Sequence, residues 1–238
     1  LVAATLVVLT PLFAGLPKTV LSAIIVMAVV GLVDTALPRE LWRVRRRELA
    51  VLVVTFAATL FLGITTGLAL GVAVSLALFV LRTTRPHTAV LGRLPGTEVY
   101  RNVRRFPDAE TVPGLLLVRL DAQLYFANAA FLKETIRERL AAGAGPVRAV
   151  ILDAGGIHDV DVSALAALRQ IRGELAARGV ALYLADVKGP VRDVLARSGF
   201  MGELGAERLT FTVHEAVERA TGVRTGPVDP RARQFDAE

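Results

Sequence analysis

The sequence predicts a helical membrane segment followed by an α/β domain with a mixed sheet. Three observations carry that expectation. Long uncharged runs broken by basic clusters fill the first 85 residues. From about residue 99, short apolar strands alternate with helices. Charge is also unevenly divided: residues 1–85 hold 8 Lys/Arg against 3 Asp/Glu, and residues 86–238 hold 20 against 19. The excess positive charge therefore flanks apolar runs, where Lys and Arg act as topology signals. A polar half so nearly balanced argues against a nucleic-acid footprint. With 53% hydrophobic residues the bulk of the chain is not disordered, and zero cysteines exclude a disulfide framework, an iron–sulfur cluster and a thiol nucleophile.

Within the first half, Leu1 to Pro17 carries no charge. It reads as the tail of an earlier span, over about 1–14, that reaches an external turn at Gly15-Leu16-Pro17. The chain begins without Met inside this run, and we expect a piece of a longer protein. No basic region precedes the run and no small-residue cleavage site follows it, so a signal peptide is not expected. A second span is expected over about 17–36. Arg39, Arg43, Arg45, Arg46 and Arg47 then form a basic loop.

Leu49 to Leu81 contains 33 uncharged residues, closed by Arg82 and Arg85. As one helix it would be about 50 Å long, too long for one modestly tilted crossing of a core ~30 Å thick. Two crossings place both basic clusters on the cytoplasmic side. We therefore expect short helices over about 49–63 and 66–81, with a tight turn at Gly63-Ile64-Thr65-Thr66-Gly67. Gly67 and Gly71 have the spacing of a helix-packing motif, although glycine is also common in membrane helices generally. No charge lies inside any apolar run; Lys18 and Asp34 sit at segment ends, where they can snorkel to the interface.

A linker is expected over 86–101, then an α/β domain over 102–220 and a disordered tail over 221–238, rich in Pro, Arg and Asp. Leu115–Leu120 reads as a strand, and Leu124–Ala127 as a second, with Asn128 capping a helix over roughly 129–142. Val147–Asp153 reads as a strand, apolar from Ala149 to Leu152 as in a strand buried on both faces. Ser163–Ala177 shows an apolar stripe of Leu165, Leu168, Ile171 and Leu175. A strand at Val180–Ala185, a helix at 189–198 capped by Gly199, a short strand at Leu209–Thr212 and a helix at 213–221 complete the pattern.

The most informative stretch is Ile151 to Leu165. A buried strand enters the turn Asp153-Ala154-Gly155-Gly156, and Asp161 and Ser163 stand at the next helix start. Free N–H groups there favour negative charge, so Ser163 is a candidate phosphoacceptor; alternatively Asp161 or Ser163 simply caps the helix. Asp121, Asp153 and Lys188 near strand ends suggest a phospho-receiver, but no second acid adjoins Asp121 to share a divalent cation. His87, His158 and His214 share no metal-ligand spacing. Nothing points to a cofactor or to an enzyme. Arg101, Arg104 and Arg105 form a small basic patch that is either a solvated face or a contact to anionic headgroups.

Several blocks, in order, resemble the SulP (sulfate permease) family of inorganic anion transporters. Leu16-Pro17-Lys18-Thr19-Val20-Leu21-Ser22-Ala23-Ile24-Ile25 is similar to a conserved segment of that family, and Thr55–Leu60 to its penultimate span. Arg85-Pro86-His87, Gly92-Arg93 and Pro95-Gly96-Thr97 resemble the exit from its last span. Leu124–Ala129 and Asp161–Leu165 look like its C-terminal STAS domain. The resemblance implies a fourteen-span carrier of two seven-span inverted repeats, usually a homodimer in the cell (inner) membrane. This chain would supply the last gate-domain helices and a cytoplasmic STAS domain. The substrate would be an inorganic anion of sulfate or bicarbonate type, moved with a coupling ion, and its site would lie in core helices outside this chain. Ser163 occupies the phosphoacceptor position of related anti-sigma-factor antagonists, while Val162 and Ala164 stand where the STAS pattern has Ser and Gly. A different class of function, a membrane-anchored STAS signalling module switched by phosphorylation, stays open from the residues alone.

Overall fold

A computed structural model of the protein describes residues 17–143 and 145–223. The expected first span over 1–14 and nearly all of the expected tail lie outside the described residues. The chain divides into two compact units, residues 1–77 and 78–238.

The first unit is helical. The helix α1 runs over Lys18–Val30 and stops at Gly31, so the apolar stretch expected as one span over 17–36 is shorter as a helix. A separate short helix, α2, covers Ala36–Val44. Asp34 is tied up locally: its Oδ1 accepts from the amides of Ala36 (2.8 Å) and Leu37 (3.3 Å), satisfying free N–H groups at the start of α2. The 33-residue apolar run divides into α3 (Arg46–Leu62) and α4 (Ile64–Thr84). Gly63 alone makes the break. Its φ of 90° is a conformation that glycine adopts without steric penalty. Ile64, Thr65 and Thr66, expected in the turn, instead form the first turn of α4, because one positive-φ residue suffices to reverse the chain. Of the described helices, α4 is long and apolar enough to cross a membrane unaided.

The Gly67–Gly71 spacing serves close packing. A Cβ on Gly67 would overlap the Thr59 backbone, and one on Gly71 would come within 2.7 Å of the Thr55 side chain. These glycines let α4 lie against α3 at small-residue distance.

The second unit is a mixed six-stranded sheet with helices on it. Its strands are β1 (Thr88–Arg93), β2 (Tyr100–Asn102), β3 (Leu115–Leu120), β4 (Ala149–Asp153), β5 (Ala181–Ala185) and β6 (Leu209–Thr210). They lie in the order β2-β1-β3-β4-β5-β6. The pairs β1/β2 and β1/β3 are antiparallel, and the others are parallel. The stretch expected as a linker, 86–101, thus contributes β1 and the start of β2. Neither had a sequence signal of its own: β2 is a three-residue edge strand, and β1 is fixed by its pairing with β2 and β3.

All five residues of β4 are buried, as expected of a strand covered on both faces. Val150 and Leu152 face one core with Leu132 and Ile136 of α5 (Phe126–Ala142) and Leu165, Leu168 and Ile171 of α6 (Val162–Ala176). Ala149 and Ile151 face the other, with Leu115, Leu117 and Ala216 and Val217 of α9 (Val213–Thr221). The helix α7 (Gly189–Arg197) leads into the short α8 (Phe200–Leu204), which was not expected; Gly199 sits between them at φ 75°, and Phe200 is fully buried. Tyr100 of β2 is bonded to Nδ1 of the buried His214 of α9 at 3.1 Å. Burial pushes the Tyr100 hydroxyl up to about 12, so it stays protonated and available as a donor.

Leu124–Ala127, expected as a strand, is not one. Leu124 makes a single parallel bridge to Val160, and α5 begins directly at Phe126. Asn128 supports the helix start from inside it: its Oδ1 accepts from the Tyr125 amide at 3.0 Å and its Nδ2 donates to the Gln123 carbonyl at 2.9 Å.

Substituting Gly67→Ala should destabilise the α3–α4 pair by about 1–3 kcal/mol, the usual cost of overpacking, in detergent–SDS denaturation. Gly31→Ala, whose Cβ meets only the Ala28 carbonyl at an ordinary 3.6 Å, should leave the same transition unchanged.

Candidate functional site

The loops that leave β3 and β4 run side by side at the C-terminal edge of the parallel strands. Besides the Leu124–Val160 bridge, the Leu124 amide donates to the Asp159 carbonyl at 3.0 Å and the Asp161 amide to the Leu124 carbonyl at 3.4 Å. This zipper brings the starts of α5 and α6 together.

Asp161 joins them. One carboxylate oxygen accepts from the Ala164 amide within α6 at 2.7 Å, and the other from the Phe126 amide at the first residue of α5 at 2.9 Å. One side chain therefore satisfies a free N–H group at each of two helix starts, and places negative charge where both helix dipoles favour it. The capping role open to Asp161 in the sequence is realised, and it extends to a helix 35 residues upstream.

Ser163 is exposed in the first turn of α6. Its hydroxyl has no hydrogen-bond partner among the described residues, so it is not the cap. Val162 and Phe126 beside it are 82% and 72% exposed, an unusual display for apolar residues. The methyl group of Ala164 is fully buried and its amide is spent on Asp161. Ala164 therefore lies inside the core rather than on the approach to Ser163.

Behind the helix starts lies a cluster of charged groups. Asp153, at the end of β4, accepts from the Gly155 amide at 3.0 Å. Burial is the main cause that raises its pKa; the Gly155 bond opposes this and nearby Asp186 adds to it. Asp186 follows β5 with φ 55°. A Cβ on Gly155 would overlap the Asp186 carboxylate, and one on Gly156 the Leu120 carbonyl, so this turn requires two residues without side chains. Burial also disfavours the charged form of Asp121, but bonds from Arg119 (2.6 Å) and His87 (2.7 Å) outweigh it and hold the carboxyl below its ordinary range. Lys188 Nζ approaches His158 Nδ1 at 3.5 Å, on the far side of the turn.

Asp121, Asp153 and Lys188, which suggested a phospho-receiver, do lie at one edge of the sheet. Asp121 is nevertheless committed to Arg119 and His87. No group of three or more metal-ligating side chains occurs among the described residues. The three histidines are dispersed: His87 on Asp121, His158 near Lys188, His214 beneath β2. Arg101, Arg104 and Arg105 are exposed. The sequence reading missed the Phe126–Asp161 link, since no local pattern announces a bond between residues 35 apart.

Comparison with known proteins assigns both halves. Residues 1–55 match the model of the sulfate permease family, and residues 106–218 that of the STAS domain. The chain is 38% identical to probable sulfate transporter 4.2 of Arabidopsis thaliana, in an alignment covering 96% of this chain and 35% of that protein. It is 35% identical to high affinity sulfate transporter 2 of Stylosanthes hamata, covering 90% and 33%. The chain spans about a third of the length of the curated relatives it matches. Among solved structures, the murine Slc26a9 anion transporter in its inward-facing state superposes with a TM-score of 0.69 at 24% identity, over 78% of this chain and 30% of that one. That likeness establishes a shared fold: helices followed by an α/β domain of STAS type.

Two variants separate scaffold from site. Asp161→Ala removes two helix caps and should destabilise the α/β domain by about 2 kcal/mol, at ~1 kcal/mol per cap; Ser163→Ala should leave its thermal midpoint within a degree. Asp153→Asn keeps the acceptor for Gly155 but cannot ionise. Because burial raises the Asp153 pKa in the folded state, the unfolded chain ionises first, and stability contributed by the protonated form is lost as pH rises above about 4. Asp153→Asn should therefore raise the midpoint at pH 7, and the gain should vanish on acidification below pH 4.

Proposed function

The chain belongs to the sulfate permease family, and we propose that it forms the last gate-domain helices and the regulatory STAS domain of a secondary-active transporter for an inorganic anion of sulfate or bicarbonate type. The observation that carries this reading is continuity. A single alignment to a sulfate transporter runs through 96% of the chain, apolar helices and α/β domain together. A signalling module on an unrelated anchor would match over its second half alone, whereas residues 1–55 match the permease family in their own right.

The part assigned to the first unit is structural. Its apolar helices carry no ionisable group within their apolar runs, so they offer no path for a charged substrate. The α3–α4 pair, closed on small residues, suits a wall against which a substrate-carrying body moves in alternating access. The anion and its coupling ion would be bound by helices outside this chain. With α3 and α4 as two crossings, the Arg39–Arg47 and Arg82/Arg85 clusters both face the cytoplasm, and the STAS domain that follows lies there too, at the inner membrane. The assembly expected is a homodimer.

Ser163 is the proposed regulatory phosphoacceptor. Its hydroxyl is exposed and unengaged, and a phosphate there would meet the N-terminal dipole of α6. The Asp161 carboxylate opposes that gain by like-charge repulsion. Phosphorylation would thus weaken the link that holds α5 to α6 and alter the Phe126–Val162 surface.

Radiolabelled anion uptake by the full-length protein in proteoliposomes tests both proposals. Saturable uptake of sulfate or bicarbonate is expected, with Ser163→Ala retaining at least about half of it, since the exposed hydroxyl holds no hydrogen bond among the described residues. Inserted protein that moves no inorganic anion would refute the transport reading. Abolished uptake in Ser163→Ala at normal abundance would refute a purely regulatory role.

A further inference from the structure

Among the described helices of the first unit, α2, Ala36–Val44, is the amphipathic one, and its sides are sorted. At 100° per residue, Leu37, Leu41 and Val44 form an apolar stripe. Pro38 and Trp42 flank it, and Arg39 and Arg43 lie next around the helix. Leu41 is half-buried, but Leu37, Trp42 and Val44 are 45%, 60% and 70% exposed. Arg46 stacks its guanidinium 5.3 Å from the centre of the Trp42 ring. Arg45 is engaged by Glu48 at 3.0 Å. Arg39, Arg43 and Arg47 have no acidic partner among the described residues. Pro38, Arg39, Trp42, Arg43 and Leu49 together line an open recess where α2 meets α3.

Water is a poor solvent for the Leu37–Val44 stripe, and a hydrocarbon core is a poor one for five arginines within nine residues. The headgroup layer suits both: apolar side chains reach the acyl boundary, an indole sits at the interface, and guanidinium groups meet phosphates. The charge of the recess also selects its occupant. Two unpaired arginines above Leu49 and the Trp42 ring match an anionic headgroup above an acyl chain.

We propose that α2 lies flat in the headgroup layer and that its recess binds an anionic phospholipid, with the phosphate on Arg39 and Arg43 and an acyl chain against Trp42 and Leu49. The inference rests on the reading of the flanking apolar helices as membrane-embedded, and the test separates the two.

Trp42 is the only tryptophan in the chain, so its fluorescence reports on α2 alone. The chain is reconstituted into phosphatidylcholine vesicles containing a minor fraction of brominated lipid, either phosphatidylglycerol or phosphatidylcholine, and flotation monitors insertion. Acyl-chain bromines quench indole on contact. The expected result is quenching of Trp42 that is strongest for bromines placed near the glycerol, with a preference for the anionic lipid of about fivefold or more, as two arginines near the surface supply. Arg39→Gln/Arg43→Gln should still float, and its preference should fall towards one. Protein that floats with Trp42 unquenched, or with equal quenching by both lipids, would overturn the lipid site while leaving the membrane reading intact. Protein that fails to float would overturn both. A preference unchanged in the double variant would overturn the assignment to Arg39 and Arg43.

Discussion

The second unit depends on the burial of β4 on both faces. A strand buried along its whole length must have cover above and below, and both faces of its neighbours are drawn into the same two layers. That requirement puts α5 and α6 on one face of the sheet and α9 on the other. The parallel run β3-β4-β5 then delivers its three outgoing loops to one edge, where an aspartate ends or follows each strand: Asp121, Asp153 and Asp186. Three carboxylates so placed repel one another. The structure relieves the repulsion unequally, giving Asp121 an arginine and a histidine while Asp153 is left with a backbone amide. The pKa of Asp153 is raised chiefly because this topology buries it at the end of β4, and the neighbouring Asp186 adds to the effect.

The same edge explains why some of the fold was readable and some was not. The β4 strand and α6 announced themselves, because Ala149–Leu152 is an unbroken apolar run and Leu165, Leu168, Ile171 and Leu175 keep a strict helical period. Asp161 stands immediately before that period and fits its N-cap role. The β1 and β2 strands carried no comparable signal. Thr88–Arg93 alternates weakly, follows an apolar helix and precedes Pro95-Gly96, and its pairing with β2 and β3 makes it a strand. Leu124–Ala127 misled in the opposite direction. Its apolar residues look like a strand because Leu124 must reach the core, yet Asn128 folds back on the Tyr125 amide and starts the helix there.

In the first half, composition locates the apolar segments, but backbone conformation decides where they end. Gly63 and Gly67 are only four residues apart and look alike in the sequence, yet one turns the chain while the other is a contact surface. The difference lies in what faces each of them. A Cβ at Gly63 would meet open space and only the φ of 90° demands glycine, whereas Gly67 has ordinary helical geometry and is held to glycine by the Thr59 backbone. No periodicity argument distinguishes these two causes, because one is a backbone angle and the other a neighbour on the facing helix.

Asp161 places a limit on any switch at this site. Its two oxygens are already divided between Ala164 and Phe126, so a phosphate drawn to Ser163 by the helix start faces a carboxylate seated on those two donors and repels it. Displacing it from Ala164 costs the cap of α6, which the phosphate can itself replace because it carries three acceptor oxygens and stands at the same helix start. Displacing it from Phe126 costs the link to α5, which a group two residues into α6 has no covalent constraint to restore. The two bonds made by one side chain are therefore unequal under modification: the local cap is replaceable and the distant tie is not. The movement expected from phosphorylation is a loosening of the α5 start, carrying the exposed Phe126, rather than a melting of α6. A partner that reads the modified state would then read a change in the apolar surface of Phe126 and Val162 as much as the phosphate itself.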